Sequence, residues 1–175
     1  MRFLTLLFVL LYSTEAAVVA SHSLPQPLSM LTEAPSISGD RLSQGKLANK
    51  PIVITFFASW CPPCRHEFEQ LNALKTHPQA NNATIIAINV FEDNYDKNPA
   101  RLKRFLETTK PTFPVIKGNA QTRKAFGNIT RIPTLIVYDK TGKENWRFIH
   151  KEGATKMSAE LDEIVDALRE VVDKK

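Results

Sequence analysis

Cysteine is nearly absent from this sequence: two residues in 175, Cys61 and Cys64, with only Pro62 and Pro63 between them. Without a second pair, a four-thiolate zinc site cannot be assembled. The four histidines, His22, His66, His77 and His150, show no ligand-like spacing, so no metal is expected. Covalent haem attachment needs a histidine directly after the second cysteine, and Arg65 stands there instead. The chain also lacks a dense basic run and any nucleic-acid motif. Its 23 Lys and Arg against 18 Asp and Glu leave a mild net charge of +5, read as scattered solvated surface. No nucleic-acid partner and no cofactor are expected. There is no internal repeat and no low-complexity tract. Beyond the N-terminus, no apolar run reaches the roughly 20 residues needed to cross a bilayer.

What is present begins at that N-terminus. Arg2 precedes an apolar run over residues 3–11, broken only by Thr5, and small residues then lead to Val18-Val19-Ala20. Residues 1–20 read as a cleaved signal peptide. The alternative is an uncleaved membrane anchor, although extending the short apolar stretch would take in Glu15. No cysteine lies nearby, so a lipoprotein anchor is not available. Export places both thiols where disulfides are normally structural. A staple closing so small a loop is worth only about 2 kcal/mol, however, and a chain with 43% hydrophobic residues can build a real core. Reactivity explains the pair better.

Residues 21–50 carry three prolines and two glycines and read as an irregular lead-in with one short strand or hairpin. The domain proper is expected over 51–175. Residues 51–58 form a continuous apolar, β-branched run, the mark of a strand buried on both faces. Pro62 and Pro63 suit the first turn of a helix. Phe68, Leu71 and Leu74 continue that helix until His77-Pro78. Residues 83–91 predict a second strand. Asn98 and Pro99 predict an N-cap and first helical residue, for a helix ending near Lys110. A short strand over 113–116 and a short helix over 121–126 follow, closed by Gly127. Residues 134–138 and 144–150 predict a hairpin around the turn at Asp139–Gly142. Met157, Leu161, Ile164, Val165, Leu168 and Val172 predict one face of a terminal helix. This order implies an α/β fold, a central mixed sheet flanked by helices on both faces.

A thiol exchanges disulfides only as the thiolate, and a free cysteine with a pKa of ~8.5 is mostly protonated at neutral pH. Cys61 sits where a strand ends and a helix begins, so unpaired N–H groups and the helix dipole favour an anion there. Such a sulfur is a ready nucleophile and a good leaving group. Cys64, one turn further on, is placed to attack a mixed disulfide. Besides redox exchange, a structural disulfide and a copper- or partner-binding module without turnover stay open.

Phe56-Phe57-Ala58-Ser59-Trp60-Cys61-Pro62-Pro63-Cys64-Arg65, followed by Glu67-Phe68, resembles the active-site signature of the thioredoxin superfamily. More narrowly, it is similar to the exported TlpA/ResA/CcmG-type thiol–disulfide oxidoreductases. Ile132-Pro133-Thr134 is similar to that family's cis-proline segment. The resemblance runs from about Pro51 onward, and residues 21–50 are shorter and less regular than the family's N-terminal hairpin. It implies a thioredoxin-like fold, with Cys61 as exposed nucleophile and Cys64 as buried resolving thiol. Pro133 would be cis and face the dithiol, with the Ile132 backbone offering strand-like hydrogen bonds to a substrate. Trp60, Pro62 and Pro63 would complete the substrate-facing surface. Glu67 matches an acidic residue of the family pattern. It would exchange a proton with Cys64, a role thioredoxins give to an Asp at the place held here by Thr55. The bland alternative is a surface glutamate in the first helical turn. Arg65 and Glu69 are expected to form an exposed i,i+4 pair.

The same resemblance implies disulfide-containing exported proteins as partners, apocytochrome c among them, and a membrane dithiol donor of the DsbD/CcdA type. It places the chain in the periplasm, with the uncleaved inner-membrane anchor as alternative. The reducing direction follows from the family, while an oxidase or isomerase would use the same residues. A monomer is expected. The motifs Asn82-Ala83-Thr84 and Asn128-Ile129-Thr130 read as chance.

Overall fold

The computed structural model describes residues 24–94 and 98–173. The signal segment over 1–20 lies outside them. Strand β2 (Ile52–Phe57) is buried at every position, as its unbroken apolar run requires. It pairs in parallel with β3 (Thr84–Asn89) on one side and antiparallel with β5 (Thr134–Tyr138) on the other. β4 (Val115–Lys117) adds in parallel to β3, and β6 (Glu144–Ile149) closes the hairpin with β5. A short edge strand, β1 (Ser36–Ser38), pairs antiparallel with β4. The sheet order is β1-β4-β3-β2-β5-β6.

Alternation along β2 sends neighbouring aromatic rings to opposite faces. Phe57 packs against Phe68 of α2 (Pro62–Lys75) and Phe105 of α3 (Pro99–Thr109), with centroids 4.7 and 5.2 Å away. Phe56 meets Phe126 at 5.3 Å on the other face, just after α4 (Ala120–Ala125). The mixed sheet is therefore covered on both sides, the α/β architecture read from the element order.

Local chemistry explains the boundaries. The Asn98 side chain accepts the Ala100 N–H at 3.0 Å, with Pro99 as first residue of α3. Asn119 and Thr122 bond reciprocally to form a capping box for α4. Asp139 Oδ1 accepts the N–H groups of Thr141 and Lys143, which sets the β5–β6 turn. β4 starts later than the predicted 113, because Pro114 has no N–H to give a ladder.

Two expectations need correction. Helix α5 (Leu161–Asp173) begins after Met157, which is 47% exposed, and its inward face is Ile164, Val165, Leu168 and Val171. Val172 is turned a further 100° and lies half exposed. Arg65 does not pair with Glu69: its guanidinium lies over the Phe105 ring at 5.3 Å, and His66 approaches Glu69 instead. The lead-in is also better ordered than its composition suggested. It contains a 3-10 turn (Leu28–Thr32), β1 and α1 (Gln44–Leu47), and it buries Leu28, Leu31, Leu42 and Leu47.

Because Phe57 joins the strand to two helices at once, Phe57→Ala should lower unfolding free energy by about 3–5 kcal/mol in a urea titration. A loss under about 1 kcal/mol would mean the aromatic cluster does not hold this face together.

Candidate active site

Strand β2 ends at Phe57, the chain turns through Ala58–Trp60, and α2 starts at Pro62. Cys61 is thereby the N-cap of α2, and its Sγ accepts the Cys64 N–H at 3.3 Å. Cys61 and Cys64 are joined by a disulfide with their Cα atoms 5.4 Å apart. Cys64 is sealed at 0% exposure. Cys61 keeps 4%, less than an exposed nucleophile implies, with its sulfur bonded to that of the buried Cys64. It nevertheless lines an open cavity of about 560 Å³.

That cavity joins Trp60, Cys61, Pro62, Pro63 and Ile132 with Phe91, Met157 and His150. Its rim carries Arg131 and Glu152, paired at 3.9 Å. The Ile132–Pro133 peptide is cis, and the Pro133 carbonyl accepts the His150 N–H at 3.0 Å. Cys64 and Glu67 lie behind this surface, fully buried. Among the described residues, no three His, Cys, Asp or Glu side chains converge as a metal site.

Glu67 is not the surface residue of the bland alternative. It lies one helical turn beyond Cys64 and has no exposed surface. Burial in this apolar setting raises its pKa from 4.5 to about 7. The Thr55 hydroxyl, which donates to Oε2, opposes that rise in part. The Ala159 peptide also pulls downward without closing a hydrogen bond, and Oε1 has no partner.

Three features had no clear signal in the sequence. Glu92 lies 31 residues past Cys61 in the chain, yet its carboxylate accepts the Ser59 N–H at 3.1 Å, the Ser59 hydroxyl and the Asn89 amide at 2.7 Å. It pins the turn leading into the dithiol. Phe91 adopts φ +58°, a left-handed conformation costing a bulky residue about 1–2 kcal/mol. Its carbonyl accepts Trp60 Nε1 at 2.8 Å, and Arg123 lies 4.3 Å over its ring. His150 and Met157 enter from the stretch around and after the end of β6. In the sequence His150 reads as the last residue of a strand with no ligand-like spacing, and Met157 fits a helical pattern.

Residues 31–165 match the family model described as Redoxin. The chain belongs to the Redoxin family. It is 33% identical over 95 residues to the thiol–disulfide oxidoreductase ResA of Geobacillus thermodenitrificans, covering 54% of this chain and 51% of that one. It is 25% identical over 107 residues to the thioredoxin-like protein YneN of Bacillus subtilis, covering 61% of each. The chain thus spans between about half and three fifths of these relatives' length. The solution structure of a thioredoxin-like protein in the oxidised form superposes with a TM-score of 0.65 at 22% identity, over 86% of this chain and 99% of that one. The fold of this Redoxin member is thioredoxin-like.

The raised pKa of Glu67 carries a stability signature. Below about pH 4.5 the carboxyl is protonated whether folded or unfolded, and burial exacts no charge penalty. As pH rises through about 7 the folded state must hold a buried charge, and stability is lost. Relative to wild type, Glu67→Gln should gain about 3 kcal/mol between pH 4.5 and pH 8, read from urea midpoints across that range. A constant difference between the two proteins would show that Glu67 titrates normally.

Proposed function

We propose that this chain is an exported thiol–disulfide oxidoreductase that reduces disulfides of exported proteins through Cys61 and Cys64. The observation carrying this reading is the asymmetry of the pair: Cys61 borders an open cavity and accepts a helix N-terminal N–H, while Cys64 is sealed behind it. Once the disulfide is reduced, that N–H and the α2 dipole favour the Cys61 thiolate. Cys61 attacks a substrate disulfide and forms a mixed disulfide. Cys64 then displaces the product and restores the bond present in the structure.

The remaining residues take roles consistent with their places. Glu67, buried on the same helical face as Cys64, accepts the resolving thiol's proton; a carboxyl with a pKa of about 7 is suited to that exchange. The Ile132 backbone and the cis Pro133 offer an extended edge to a substrate chain, with Trp60, Pro62 and Pro63 as flanking walls. ResA, the relative of Geobacillus thermodenitrificans, carries the name of a thiol–disulfide oxidoreductase, which supports the activity assigned here. The reducing direction, apocytochrome c as one substrate, a membrane donor of the DsbD/CcdA type and a monomeric state complete the proposal. So does delivery to the periplasm by the signal segment over 1–20, with retention at the inner membrane as the alternative fate. Among the described residues no helix is long and apolar enough to cross a membrane.

Trapping tests the reading directly. Cys61→Ser should lower the rate of insulin disulfide reduction by about two orders of magnitude or more. Cys64→Ser should accumulate mixed disulfides with exported proteins, identifiable by mass spectrometry after non-reducing separation. Full reductase activity in Cys61→Ser would overturn the assignment.

A further inference from the structure

The exchange mechanism leaves His150 without a task, yet the structure builds it into the site. It follows β6 directly, and its backbone N–H is tied to the Pro133 carbonyl. It lines the cavity that Cys61 borders, alongside Trp60 and Ile132. Ring Nδ1 is shielded from solvent and has no hydrogen-bond partner. Such orphaned polar atoms are uncommon in folded proteins and costly, so each calls for a reason. The neighbouring charges do not supply one, because Arg131 and Glu152 pair with each other at the rim. The cavity itself presents a chemical demand. Its walls include Trp60, Phe91, Ile132 and Met157, and an alkyl thiolate expelled against them is poorly solvated and a poor leaving group.

We propose that His150 is the proton carrier on the substrate side of the dithiol, protonating the substrate sulfur that departs when Cys61 forms the mixed disulfide. In that step the Cys61 thiolate makes a new S–S bond and the substrate S–S bond breaks. The electron pair of the broken bond stays on the departing sulfur. The imidazolium gives that sulfur its proton from Nε2, since Nδ1 is shielded, becomes neutral imidazole and is reprotonated at Nε2 from water in the cavity. Attack by Cys64 then releases the second substrate sulfur. Over the cycle the dithiol is oxidised by two electrons and the substrate disulfide becomes two thiols. In the reverse direction the neutral ring accepts the proton of an incoming substrate thiol. This inference rests on the oxidoreductase reading and adds to it a group that acts on the substrate.

The test varies the need for the proton. Reduced wild type, His150→Gln and His150→Phe are mixed with two disulfides, and the thiol released is followed by stopped flow. One is 5,5′-dithiobis(2-nitrobenzoate), whose leaving thiolate is stable as an anion; the other is glutathione disulfide, whose alkyl thiolate is not. Both variants should slow the glutathione reaction about ten-fold or more, while the aromatic reaction stays within about two-fold of wild type. Equal slowing with both disulfides would make His150 only a cavity wall, and unchanged rates with both would give it no part; either result overturns the inference alone. If wild type exchanges with neither disulfide, or Cys61→Ser exchanges as fast as wild type, the oxidoreductase reading falls and this inference falls with it.

Discussion

The organising constraint of this molecule is that β2 is sealed on both faces and must therefore stop abruptly. Six consecutive buried residues, flanked by β3 and β5, leave no solvated side along which the chain could drift out of the sheet. It leaves at the C-terminal end, turns through Ala58–Trp60 and enters α2 at once. Cys61 becomes a helix N-cap as a consequence, and the backbone N–H of Cys64 points at its sulfur. The aromatic packing of Phe57 on Phe68 and Phe105 holds α2 against the strand, so the sulfur's electrostatic setting is a product of core packing.

The same packing explains why a carboxyl can be kept beneath the dithiol. Glu67 follows Cys64 by three residues, which places both on one helical face, and that face looks into the core. Thr55, one strand residue before Phe56, supplies the hydroxyl that keeps the carboxyl from being wholly unpaired. Burial still dominates and lifts the pKa to about 7, at a cost in stability above that pH. A residue chosen for stability alone would not carry this penalty, and the trade fits the proton exchange proposed for Glu67.

The cavity in front of Cys61 is assembled differently. Trp60, Phe91, Ile132 and His150 come from four separated stretches of chain, brought together where β2, β3 and β6 end and where β5 begins. Glu92 and the Phe91 carbonyl clamp Ser59 and Trp60, so the loop before the dithiol is held by side chains and strained backbone rather than by sheet pairing. Loop-built walls on a rigid sheet are the part of such a site most open to variation.

Much of this was legible in the sequence, for reasons of local chemistry. The apolar run of β2, the prolines after Cys61, the Asn98–Pro99 start of α3 and the Asp139–Gly142 turn each act within a few residues, so pattern and propensity suffice to read them. The two-residue spacing of the cysteines likewise limits their chemistry wherever the chain folds. Tertiary structure decided what depends on distant partners. Only packing could bury Glu67 against Thr55 rather than leave it in a solvated first turn. Val171, not Val172, faces inward because the docking of α5 sets its rotation. Met157 lies at the cavity instead of in a helix, and His150 joins the site because β6 pairs with β5. Burial and long-range pairing are properties of the whole chain, and no short window of residues contains them.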